Sequence, residues 1–150
     1  KGISLCGMSK VYAMPGIRIG WVVSQCEELN MKIRTLKDYT TICPPAPCEI
    51  LALIGLRNAP QIIQRNLNII KSSLVEVEKF MERNSNMFHM TKPVAGSFAF
   101  PAIKDPNGSI SALCKEWVEE GNVMLLPSNL YDFDDHLQNV ALDFRNNNLV

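Results

Sequence analysis

The apolar positions along the chain change period several times, and each change predicts an element. ISLC (3–6) and IRIGWVVS (17–24) are short, rich in β-branched and aromatic residues, and bounded by glycine and Pro-Gly, which predicts two strands. The run IGWVV is almost wholly apolar, as expected of a strand covered on both faces in an α/β sheet. In CEELNMKIRTLKDYT the apolar residues Leu29, Ile33 and Leu36 recur at helical spacing, with acids early and bases late. CPPAPC then breaks helix at several points and reads as an interdomain hinge or a helix-to-helix connector. CEILALIGLRN is apolar enough for a buried helix. After Asn58-Ala59-Pro60 a longer amphipathic helix is predicted, with Ile63, Leu67, Ile70, Leu74, Val77 and Met81 recurring every three or four residues. Strands follow at 87–90 and 97–101 around the turn PVAG. Ser109 caps a helix that Gly121 ends, VMLLP is a short buried strand, and NVALDF is a final one.

This order predicts an α/β fold: the end of a large-domain sheet, then a long helix, then a small α+β C-terminal domain. The expected parts are residues 1–43, connecting helices at 44–84, and the small domain at 85–150. KGISLCG enters a strand with no helix cap and no initiator methionine, so the chain reads as cut from something longer, a natural start or a processed product being the alternatives.

Composition narrows the function. The 150 residues amount to about one domain. Fifteen basic and fifteen acidic residues balance to zero formal charge, which leaves no basic footprint for nucleic acid and no polybasic membrane patch. Small molecules or other proteins are the expected partners. The five cysteines, Cys6, Cys26, Cys43, Cys48 and Cys114, are scattered and odd in number, which argues against a disulfide framework or a structural zinc site. Reduced thiols, no signal peptide and no long uncharged apolar run point to a cytoplasmic protein.

The stretch GMSKVYAMPGIRIG, 7–20, carries the chemistry. A lysine in isolation is ordinarily a solvated loop residue. Here Lys10 follows Ser9, with Gly7 close by, so a flat cofactor can approach it. A lysine amine forms a Schiff base when partial desolvation and nearby positive charge lower its pKa. Arg18 offers a planar fork that grips a phosphate bidentately, and Gly16 after Pro15 is expected to allow the turn that brings Arg18 back beside Lys10.

These fourteen residues resemble the pyridoxal-phosphate attachment segment of the class I/II aminotransferases of fold-type I. LKDYTTICPPAPCEILAL, KPVAGSFAFPAI and VEEGNVMLLPSNLYD resemble later segments of the same family, so the likeness covers essentially the whole chain. The resemblance implies that pyridoxal 5'-phosphate is the cofactor, held through Lys10 as an internal aldimine, with Arg18 on its phosphate and Ser9 and Gly7 beside it. Lys10 would also shuttle the proton during catalysis. The position of Gly7 is often a phosphate-binding serine in relatives. The implied reaction moves an amino group between an amino acid and a 2-oxo acid in a homodimer. A lyase or decarboxylase of the same fold, or a non-catalytic binding domain, are the rivals. One departure matters: the family's arginine for the substrate α-carboxylate falls at Ala141. Arg145 follows Phe144 and is carried as a candidate substrate binder, although alternation of faces along a strand calls for a register shift before it could substitute. The family's aspartate, aromatic and asparagine around the cofactor ring lie upstream of the lysine and outside these residues, so the isolated chain is expected to be inactive or weak.

Other candidates weigh less. His89 and His136 have no metal-ligand spacing. The acidic run DFDD (132–135) reads as a solvated loop. Trp21 fits core packing, Tyr12 is open, and the spacing in CPPAPC is wrong for a redox pair.

Overall fold

The computed structural model describes residues 2–104, 109–133 and 139–144. It divides into two compact units, Lys1–Leu67 and Asn68–Val150, and the division falls inside one long helix.

In the first unit, β1 (Ile3–Gly7) and β2 (Gly20–Ser24) pair antiparallel, with Ile3 opposite Ser24 at one end and Gly7 opposite Gly20 at the other. Helix α1 (Glu27–Thr40) begins directly after β2, and the Asn30 side-chain amide donates to the Ser24 carbonyl at 3.0 Å, fixing that junction. Glu27 and Glu28 in the first turn and Lys37 in the last complement the helix dipole. CPPAPC is a helix-to-helix connector. Pro45 is the N-cap of α2 (Ala46–Arg57) and Pro47 stands in its first turn, where the missing N–H costs nothing.

The two apolar runs expected to be covered are bare here. Val22 is 41% exposed, Val23 57% and Ile50 60%, while α2 buries Ala52 and Gly55. The reason is local. Among the described residues this sheet has two strands, and α1 lies along β2. An apolar run therefore marks a surface that wants covering, whether or not the same residues supply the cover.

Helix α3 (Ala59–Arg83) carries the predicted apolar stripe, and its C-terminal half supplies Val77 and Met81 to the core of the second unit. There, β3 (Phe88–His89) pairs with β5 (Ala102–Ile103), and β7 (Val140–Asp143) lies between β4 (Phe98–Ala99) and β6 (Leu126–Pro127). The two strands on either side of PVAG do not pair with each other. They pair with later strands instead, β3 with β5 and β4 with β7. Helix α4 (Ile110–Gly121) starts at Ser109, whose hydroxyl accepts from the Ala112 N–H at 3.2 Å. Its left-handed C-cap is Asn122, one residue past the expected Gly121; asparagine tolerates that conformation well. VMLLP is less buried than expected, with Met124 76% exposed. Phe144, Leu142, Ala99, Val77 and Met81 form one cluster, and Ile103, Ile110, Cys114 and Val140 a second. All five cysteines are free thiols.

Candidate active site

The site begins where the β1–β2 ladder ends. Beyond the Gly7–Gly20 pair, the Met8 N–H still donates to the Ile19 carbonyl at 3.0 Å. Ser9, Lys10 and Arg18 all lie in the connection between the two strands, at that end of the ribbon. Gly20 is required for the approach of the strands there, and Gly7 faces it with little room to spare. A Cβ on Gly20 would stand 2.9 Å from the Cys6 carbonyl oxygen, and one on Gly7 would stand 3.4 Å from the Ile19 carbonyl oxygen. The strands thus end in a narrow, side-chain-free step beside two cationic residues.

Residues 8–14 form a compact loop. The Ala13 N–H donates to the Lys10 carbonyl at 3.2 Å, and the Met14 N–H to the Met8 carbonyl at 3.0 Å. Met8 is fully buried. The thioether ends of Met8 and Met14 fill the space over Gly55 of α2, where an added Cβ would come within 2.9 Å of both. A tether reaches the loop from α3: the Asn66 side-chain amide donates to the Val11 carbonyl at 2.8 Å.

The turn back to β2 differs from expectation. Gly16 has no positive φ, and a Cβ there would meet nothing within 4 Å, so the turn does not depend on it. Residues Pro15–Ile17 form a 3₁₀ turn, and the left-handed positions are Ala13 (φ 53°) and Arg18 (φ 55°). Left-handed backbone costs a residue with a Cβ roughly 1–2 kcal/mol. At Arg18 it lets the guanidinium fold back on its own turn, where Nη1 donates to the Pro15 carbonyl at 2.9 Å. A guanidinium has five N–H donors, so the group is oriented while most of its fork remains available. Lys10 and Arg18 are both exposed, and Gly7, Ser9 and Tyr12 are half-buried. The partial desolvation expected at Lys10 is therefore not met by these residues alone. Donor chemistry nonetheless fits a molecule with an aldehyde at one end and a phosphate at the other: an amine, an oriented guanidinium, a hydroxyl and a glycine step where bulk would block approach.

The family model described as Aminotransferase class I and II matches residues 2–138. The chain belongs to the class I and II aminotransferases. It is 29% identical to a PLP-dependent aminotransferase of Streptococcus suis, whose solved structure superposes with a TM-score of 0.87 over 97% of this chain and 37% of that one. It is 28% identical over 125 residues to the L-aspartate:5-guanidino-3-methyl-2-oxopentanoate transaminase of Pseudomonas syringae, covering 83% of this chain and 30% of that protein. It is 22% identical over 136 residues to capreomycidine synthase of Streptomyces vinaceus, covering 91% and 34%. The chain thus spans about a third of the length of the relatives it matches. Its architecture is that of the C-terminal portion of the fold-type I aminotransferases.

The remaining sequence candidates fall elsewhere. Ala141 lies in β7 opposite Leu126, on the face shared with Asp143, while Val140 and Leu142 point into the core. Arg145, Asp134, Asp135 and His136 lie outside the described residues. His89 is an exposed residue of β3, and Trp21 is half-buried opposite Cys6. No helix among the described residues is long and apolar enough to cross a membrane. Met8, Met14, Gly55 and Asn66, which support the lysine loop, were not legible as site residues. Methionines and glycines in apolar runs, and an asparagine on a long helix, carry no local signal of what they touch.

Proposed function

We propose that these residues are the lysine-bearing C-terminal portion of a pyridoxal-phosphate-dependent aminotransferase that moves an amino group between an amino acid and a 2-oxo acid. The observation supporting this reading is that Lys10 and Arg18 share the loop that closes one end of the two-stranded ribbon. Bound pyridoxal phosphate supplies an electrophilic carbon and a ring that takes up charge released at the substrate α-carbon. Lys10 Nζ would be the group that holds the cofactor, and the same amine would serve at the substrate α-carbon as base and then acid over a short path. Arg18 grips the phosphate with the donors that its Pro15 bond leaves available. Ser9 contributes a hydroxyl beside Lys10, and Gly7 contributes close backbone approach.

A homodimer belongs to this reading. Ile50, Leu51, Leu53 and Ile54 are each 46% exposed or more and give α2 an apolar face suited to a second copy. Five free thiols fit a cytoplasmic location. The residues around the cofactor ring are expected outside this chain, so the 150 residues alone turn over substrate weakly or not at all. A second reading, a lyase or decarboxylase on the same fold, is favoured by Ala141, whose methyl group cannot pair with an α-carboxylate. Adding pyridoxal phosphate to the full-length protein should produce an absorbance band near the edge of the visible range, and Lys10→Ala should abolish it. Absence of the band in wild type would remove the function; a band with elimination or decarboxylation products and no transamination would favour the second reading.

A further inference from the structure

We infer that Asn66 is a positioning residue for Lys10, an inference that rests on the role proposed for that lysine. The loop that carries Lys10 is held unequally along its length. At its two ends Met8, which is fully buried, and Met14 sit over Gly55, so apolar packing fixes them. In the middle Val11 is 49% exposed, and packing holds it weakly. The peptide carbonyl of Val11 is the acceptor for Asn66, across 55 residues of sequence. The amide of Asn66 is itself oriented: its Oδ1 accepts from Arg65 Nη1 at 3.5 Å, which turns Nδ2 toward Val11.

The consequence is mechanical. The Val11 carbonyl belongs to the Val11–Tyr12 peptide, the second peptide unit after Lys10, and the Lys10 carbonyl closes the turn by accepting from Ala13. Left-handed backbone at Ala13 favours opening that turn. With the Asn66 bond in place, the Val11–Tyr12 peptide is held within that turn, which narrows the directions in which the Lys10 side chain departs. Without it, the turn samples other rotations, and Nζ meets an electrophilic carbon in the productive geometry less often. A misplacement of about 1 Å at a reacting group is enough to cost on the order of a hundredfold in rate. Loss of one tether worth an ordinary hydrogen bond should cost about tenfold.

The test uses the full-length protein as wild type, Asn66→Leu, which keeps the volume and removes the donor, and Asn66→Gln, which restores a donor on a longer arm. Two readouts are taken. In cofactor-free protein, amide exchange at Ala13 and Met14 should rise about tenfold in Asn66→Leu while the amides of α1 keep their rates. With pyridoxal phosphate added, borohydride trapping and peptide mass spectrometry should show the Lys10–cofactor linkage forming about tenfold more slowly, and Asn66→Gln should recover most of both losses. Unchanged exchange and trapping in Asn66→Leu overturn the inference and leave the function standing. A rise in exchange spread evenly over α1 and the loop also overturns it, since that is a general structural role. Failure of wild type to trap at Lys10 overturns the function and this inference together.

Discussion

Gly20→Ala tests the claim that the site is built on a step between two glycines. The added Cβ would lie 2.9 Å from the Cys6 carbonyl oxygen. Ordinary contacts begin near 3.4 Å, so the strands must part locally by about half an ångström. The obstacle is backbone in a hydrogen-bonded ladder, so no side-chain rotation relieves it. Parting there stretches the bond from the Met8 N–H to the Ile19 carbonyl, now 3.0 Å, to the limit of a hydrogen bond. Overpacking of this kind costs about 1–3 kcal/mol, and losing the bond accounts for about 1 of it. Gly7→Ala is the matched control. Its Cβ would meet the Ile19 carbonyl oxygen at 3.4 Å, an ordinary contact, so its cost should stay below about 1 kcal/mol. Urea unfolding of both variants reads the stabilities, and titration with pyridoxal phosphate reads the site. Gly20→Ala should weaken cofactor binding as well, because Arg18 leaves the same strand two residues earlier. Equal stability and equal cofactor affinity in the two variants would refute the glycine step.

Arg18→Met should weaken binding of pyridoxal phosphate by ten- to a hundredfold, the worth of a charge-assisted bond, while leaving affinity for unphosphorylated pyridoxal nearly unchanged; equilibrium titration with both compounds decides it. Ser109→Ala removes the acceptor for the Ala112 N–H at the start of α4 and should cost about 1 kcal/mol, read as a fall in the thermal midpoint. Burial pushes the Cys114 thiol above its ordinary value of 9.0. The native state then holds its proton where the unfolded chain has lost it, so unfolding free energy falls as pH rises through and beyond the ordinary thiol range. Denaturant unfolding at neutral and at strongly alkaline pH should show this loss, and Cys114→Ala should flatten it.

Much of the fold was legible because period is a local property. Helices α1, α3 and α4 lie where apolar spacing and capping residues put them, and the motif from Gly7 to Gly20 marked the end of a strand pair. Pairing was not legible. The strands around PVAG are two residues long and lie side by side in sequence, yet each pairs with a segment whose position depends on tertiary packing. Backbone strain was not legible either, since glycine drew attention to Gly16 while the left-handed positions fell on Ala13 and Arg18. Burial failed for a third reason. The apolar runs of β2 and α2 look the same whether covered by neighbours in these residues or by chain outside them.

The strain and the anchors around Lys10 explain one another. An isolated two-stranded ribbon is marginal in water. It nevertheless ends here in a loop containing one left-handed alanine and a turn closed by a left-handed arginine, which together cost roughly 2–4 kcal/mol. Such a loop would relax unless other contacts over-determined it. Those contacts are present and come from outside the ribbon: the two methionine side chains over Gly55, and the Asn66 tether on Val11. These contacts hold the loop around Lys10, which is itself exposed. A structural loop would bury its longest side chain and relax its backbone. This one holds its backbone in a costly shape and presents a lysine, which is the arrangement expected of a residue that must meet a second molecule in a fixed direction.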